Sequence, residues 1–311
     1  MKLAMIDDYL PALVEGEAVF LIADLLPEVM EQPGVLRSRA IIEGWETYKP
    51  RLKVARVASR TLGSVRLRAP IPRPARLLCA QRSFREGLSD VTIKPSFFLK
   101  SSTCVIGPKD IVELPPVDAW VFHHEAELAV IIGKRAKAVA PERAMDHVFG
   151  YTCFMDISAR GIGAGTSYED KSYDTFGPMG PWILTADEIP DPHSLQVKLW
   201  VNGNLRHDYP MSDIGNPIAK MISSASAVAA LEPGDVIALG VNHQGLGPVQ
   251  DGDRVRIEIA PIGGFEVAVQ DKLARRWENK IDTGAASAVK RMLRGEPMGT
   301  IELVKRLDRT A

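Results

Sequence analysis

Short apolar runs recur along the chain, broken by glycine, proline, asparagine and aspartate. Runs of this length with alternating polar positions predict β-strands. Residues 3–6, 11–14 and 18–22 read as a meander of three short strands. Residues 76–80 read as a buried strand, and 95–100 and 101–108 as strand, turn, strand. Residues 148–156 form a second apolar strand that ends in Asp156. Asn202-Gly203 between alternating residues 197–201 and 204–208 signals a tight hairpin. Residues 236–240 and 254–259 complete the strand set. Helical spacing is rarer. Ile41, Ile42, Trp45, Tyr48 and Leu52 predict a helix over about 38–57, interrupted by Pro50. Residues 216–230 predict another, and Pro141 begins a short one. The proline-rich stretch at 69–74 is the expected boundary between a small N-terminal unit (1–70) and a larger domain (71–270), with a C-terminal tail (271–311) that is weakly amphipathic and basic-leaning. The fold class is therefore α+β and rich in β.

One stretch carries chemistry as well as pattern: Phe122-His123-His124-Glu125-Ala126-Glu127-Leu128-Ala129-Val130-Ile131-Ile132-Gly133. Read as a single strand, it turns Leu128, Val130 and Ile132 toward the core and Glu125 and Glu127 toward the other face, roughly 6.6 Å apart. Two carboxylates side by side in apolar sequence repel each other and lose hydration. A hard cation such as Mg²⁺, Mn²⁺ or Ca²⁺ between them would remove both costs. The pair alone leaves two readings open, a cation site or a solvated face at a sheet edge.

Composition narrows the class. The chain has 311 residues, 46% hydrophobic and 25% charged, which suits a globular protein with a sizeable core. A formal charge of −1 gives no reason to expect nucleic acid or an anionic membrane as partner. No run approaches the length of a membrane span, and the acidic start lacks the apolar core of a signal peptide. Cys79, Cys104 and Cys153 sit in apolar sequence, are odd in number, and read as reduced thiols of a cytoplasmic protein. Gly161, Gly163 and Gly165 mark a candidate lid.

Several motifs together resemble the fumarylacetoacetate hydrolase family: Phe98-Leu99-Lys100 ahead of Ile106-Gly107-Pro108; Glu125-x-Glu127-Leu128; Asp156-Ile157-Ser158-Ala159-Arg160; Lys171-Ser172-Tyr173-Asp174-Thr175-Phe176-x-Pro178-x-Gly180-Pro181; and Leu231-Glu232-Pro233-Gly234-Asp235. They span residues 76–270 in order. The resemblance implies a mixed β-sandwich roll behind a small N-terminal domain, usually as a homodimer. It implies a divalent ion, usually Mg²⁺ with Mn²⁺ or Ca²⁺ as alternatives, held by Glu125, Glu127 and Asp156. It implies a small keto-acid or diketone substrate and hydrolysis of a C–C bond in a β-diketo or acylpyruvate-type acid through a metal-bound enolate. Lys171 is then expected to stabilise developing negative charge. Arg160 is expected either to hold a substrate carboxylate or to clamp the lid. Arg82, Asp174 and Asn242 complete the expected substrate-binding set.

The chain also departs from that pattern. Family hydrolases carry a base histidine after the first core strand. Here the run is Gln81-Arg82-Ser83-Phe84-Arg85-Glu86-Gly87, with Gly87 at that place. His243 is the expected substitute base and Glu86 a weaker one. His124 should face the core, and His147, His193 and His207 should be solvated. The missing histidine keeps other readings alive: decarboxylation of a 2-oxo acid, tautomerisation or isomerisation on the same site, or metal binding without catalysis.

Overall fold

The computed structural model describes residues 1–53, 60–163, 166–297 and 300–307. Among these, strands dominate, and two sheets share one buried cluster. The larger sheet has twelve strands. Its centre is built from Gly177–Thr185, Val148–Met155, Ala126–Ile132, Val236–Ala238 and Leu77–Ala80, in that spatial order. The Val236–Ala238 strand runs parallel to Leu77–Ala80 and antiparallel to Ala126–Ile132, so the sheet is mixed. The N-terminal meander, Lys2–Ile6, Leu10–Glu15 and Ala18–Leu21, continues the sheet outward through the Gly177–Thr185 strand. The second sheet has five strands, among them Gln196–Val201, Arg254–Ile259 and Gly263–Gln270. Its inward residues Leu199, Val255 and Ile257 share the cluster of Leu128, Val130 and Cys153. The β-rich mixed sandwich expected from the sequence is thus the architecture present.

Local details follow residue chemistry. The Asn202-Gly203 hairpin has positive φ at both residues, the geometry a two-residue turn needs. Asn204–Pro210 pairs back on Gln196–Val201 with one bulge, where Arg206 is the extra residue between Leu205 and His207. The helix expected over 216–230 spans Ile218–Val228.

Two expectations change. The helix expected over 38–57 is two short helices, Arg37–Glu43 and Trp45–Leu52, hinged at Gly44. A side chain at Gly44 would collide with the Tyr48 ring 2.3 Å away. Residues 54–57 of that expectation lie outside the described residues. By contrast, the strand, turn, strand expected over 95–108 is present as Phe97–Lys100, a turn over Ser102–Cys104 and a two-residue strand, Val105–Ile106. The stretch 122–133 is two strands rather than one, Val121–His123 and Ala126–Ile132. Its partner breaks at the same level: Val121–His123 pairs with Ser158–Arg160, and Ala126–Ile132 with Val148–Met155. Glu125 sits in one gap and Asp156 in the other, joined by the Asp156 amide donating to the Glu125 carbonyl at 2.9 Å.

Candidate active site

The paired break brings acids together. Oxygens of Glu125, Glu127 and Asp156 lie within 4.8 Å of one another, and all three residues are buried. Gly240 donates its amide to Glu127 Oε2 at 2.7 Å. That loop needs glycine: φ is +84°, and a side chain would meet Ser83 Oγ at 2.2 Å.

Cations close over the acids. Lys171 donates to Glu125 Oε2 at 2.8 Å and to Asp156 Oδ2 at 2.7 Å. Fully buried Lys100 pairs with Asp156 Oδ1 and donates to the Phe176 carbonyl at 2.7 Å. Arg160 pairs with Glu125 Oε1, which also accepts from Ser158 Oγ at 3.1 Å. Burial alone would raise Glu125, but the charges of Lys171 and Arg160 hold it well below the usual carboxylate range. Glu127 goes the other way: burial, then the charges of Asp156 and Glu125, push it well above that range. Burial would lower the Lys171 ammonium, yet Asp156 and Glu125 hold it above its ordinary value.

An all-oxygen set of three buried acids, one of them under repulsion from the other two, fits a hard divalent ion. Binding such an ion would relieve that repulsion.

Glu125 opens onto a cleft of about 390 Å³, lined around it by Gln81, His123, Arg160, Lys171 and His243. His243 is oriented from behind. Its Nδ1 lies 2.6 Å from Glu86 Oε1, and its amide donates to both Glu86 oxygens at 3.0 and 2.9 Å. Glu86 is buried at φ +57°, a left-handed conformation rare outside glycine, and its bonds to His243 hold it there. With Nδ1 engaged by the carboxylate, Nε2 is the nitrogen left to exchange a proton.

The remaining expected residues divide. Arg82 lines the cleft and donates to Met292 Sδ at 3.4 Å. Arg160 engages the carboxylate Glu125. Asn242 bridges to Asp213 Oδ2 at 2.7 Å and accepts from the Gln244 amide, bracing the loop beneath His243. Asp174 is exposed and lines a separate hollow with Glu113 and Lys272. Gly87 is exposed, and a side chain there would meet only Gln244 Nε2 at 3.6 Å. His124 is buried, as expected, but so is His207, against expectation. The two rings meet edge to face at 5.0 Å. The bulge at Arg206 places His207 opposite Leu199, facing inward. Of the candidate lid, residues 164 and 165 lie outside the described residues.

Three contributors are not among the expected site residues. Lys100 belongs to a quoted motif but came with no function. His123 shares the strand face of Glu125 by alternation, which was signal enough to find it. Asp282 lies in the tail and meets His123 Nε2 at 3.0 Å.

Comparison with known proteins bears on this arrangement. Residues 77–270 match the model of the fumarylacetoacetate (FAA) hydrolase C-terminal family. The crystal structure of maleylpyruvate hydrolase from Sphingobium sp. SYK-6 in complex with manganese(II) ion and pyruvate superimposes with a TM-score of 0.78 at 38% identity, covering 87% of this chain and 99% of that one. Maleylpyruvate hydrolase of Aquipseudomonas alcaligenes is 35% identical over 67% of this chain and 77% of the relative. Oxaloacetate tautomerase YisK of Bacillus subtilis is 36% identical over 65% and 72%.

Proposed function

The chain belongs to the fumarylacetoacetate hydrolase family, and from that premise we propose that it is a divalent-metal-dependent hydrolase cleaving a C–C bond in an acylpyruvate-type acid. The observation that carries this reading is the Glu86–His243 pair at the cleft, a base where the usual histidine is replaced by Gly87. Glu125, Glu127 and Asp156 would hold the ion, Mg²⁺ or Mn²⁺. The ion supplies Lewis-acid stabilisation of negative charge developing on the substrate's neighbouring oxygens.

The chain's own residues do the rest. Lys171 gives the cleft a fixed positive charge for an anionic substrate. His243 takes a proton from water at Nε2, and Glu86 stabilises the imidazolium that forms. The water oxygen bonds to the acyl carbonyl carbon, and the C–C bond beside it breaks. The bonding pair leaves with the pyruvate half, whose carbon takes up a proton. Arg160 keeps Glu125 ionised and oriented rather than binding substrate directly.

A second reading, tautomerisation of a 2-oxo diacid, uses the same base to move a proton between carbon and oxygen without adding water. It is favoured by the likeness to an oxaloacetate tautomerase. Mn²⁺-loaded protein is incubated with acetylpyruvate and, separately, with enol oxaloacetate. Release of pyruvate, read by a coupled dehydrogenase, is the expected outcome with acetylpyruvate. Loss of enol absorbance from oxaloacetate, with no pyruvate or CO₂ from either compound, would replace hydrolysis by the second reading.

A further inference from the structure

The family match ends at residue 270, but the chain beyond it returns to the cleft. The Thr283–Leu293 helix turns Ala285, Ala288, Val289 and Met292 toward the cavity, spaced as one helix face, and Ile301 and Leu303 extend the same wall. All six are apolar. The basic residues of this segment, Lys290, Arg291 and Arg294, are not among the cleft residues. The same cleft also carries charged and polar residues from the main domain, among them Glu125, Arg160, Asp170, Lys171 and His243.

Asp282 fixes the helix in place. It caps the helix, accepting from the Ala285 amide at 3.4 Å, and accepts from the Val304 amide at 3.3 Å. It meets His123 Nε2 at 3.0 Å, and its own amide donates to the Leu246 carbonyl at 2.7 Å. Both Asp282 and His123 are buried. Arg160 Nε lies 3.3 Å from His123 Nδ1, so the chain of contacts runs from the tail to Glu125.

We propose that this C-terminal helix is the specificity wall of the cleft, and that the substrate's acyl group is an uncharged apolar chain or ring lying against Ala288, Val289 and Met292. The proposal rests on the acylpyruvate reading above and names its substrate class. A carboxylate at the far end of the acyl group would lose water against an apolar surface. Arg82 reaches that surface, but through the Met292 thioether. Each methylene buried there strengthens binding by roughly threefold to fourfold.

The test uses inert chelators, so it does not depend on turnover. N-alkyl oxamates from methyl to hexyl are titrated calorimetrically into the full-length Mn²⁺-loaded protein. The expected result is a Kd that falls roughly threefold per methylene over the first members, with the gradient lost in Val289→Asp. A flat series, or a gradient that survives Val289→Asp, overturns the wall while leaving the site reading intact. Tighter binding of an ω-carboxyalkyl oxamate than of its alkyl counterpart overturns it in favour of a diacid held by Arg82. Failure of even methyl oxamate to bind would remove the acylpyruvate reading itself, and the proposal with it.

Discussion

His243 and Glu86 divide one task between a group that moves a proton and a group that aims it. His243→Ala is expected to lower kcat by about 10²–10⁴-fold while Mn²⁺ affinity stays put. An unchanged kcat with a raised KM would make His243 a binding residue instead. The acids make the opposite split. Glu125→Ala, Glu127→Ala and Asp156→Ala are each expected to abolish tight Mn²⁺ binding by calorimetry, and wild-type affinity in any two would sink the assignment. Glu125 and Glu127 were legible because alternation puts two acids on one face of an apolar run. Asp156 was a strand-end acid whose place became clear only through the resemblance. The Glu86–His243 pair was not legible as a pair. The two residues were separate candidates 157 positions apart, and no periodicity relates such a separation. The same holds for Lys100 on Asp156, a contact that requires the Phe97–Lys100 strand to lie near the gap after Val148–Met155.

At the scale of elements, the sequence showed where strands lie but not where they break. The stretch 122–133 reads as one strand because every residue in it suits one. The gap at His124 and Glu125 exists because its partner also breaks, which is a property of two segments together. The burial of His207 has a related cause. Arg206 and Asp208 make its neighbourhood polar, and the bulge that turns it inward is set by pairing with Leu199. Its burial has a measurable consequence. Loss of hydration pushes the imidazole down to about 3, and burial lowers His124 as well. Between that value and the ordinary value near 6.5, the unfolded chain takes up a proton that the folded chain refuses. Stability is therefore fully present above about pH 6.5 and falls as the pH drops toward 3. The His207 share of the loss between about pH 7.5 and about pH 5 is on the order of 2 kcal/mol. Glu127, raised in the metal-free fold, works in the opposite sense, so the readout is a difference: over that interval the urea midpoint of metal-free His207→Phe should lose less than that of the parent. Equal slopes would mean that His207 is protonated in the folded state.

At the scale of the whole molecule, the strands of the first seventy residues continue the larger sheet. Among the described residues every cleft residue lies at or beyond Ala80, so none of those before residue 71 takes a direct part in the site. One face of its meander has a cluster of its own, with Ala4, Ile6, Ala12, Val14 and Val19 closed by Trp182 from the Gly177–Thr185 strand. The other face is continuous with the main core through Leu3, Leu13, Ile22 and Leu26. Its hydrogen-bonded tie to the main sheet is short: Lys2 and Leu3 pair with Leu184 and Ile183, and the terminal ammonium meets Thr185 Oγ1 at 2.6 Å. We propose the division near residue 70 as a boundary between a supporting unit and a domain that holds the site. A chain of residues 71–311 is then expected to bind Mn²⁺ with affinity close to that of the full protein. It should also melt earlier, since Ile183 and Trp182 lose their cover. A loss of about 2 kcal/mol corresponds to roughly 4–8 °C for a domain of this size. Loss of Mn²⁺ binding in a truncated chain that still melts cooperatively would show that the N-terminal strands hold the acids in place through the Gly177–Thr185 and Val148–Met155 strands. The site would then depend on the sheet as a whole rather than on the paired break alone.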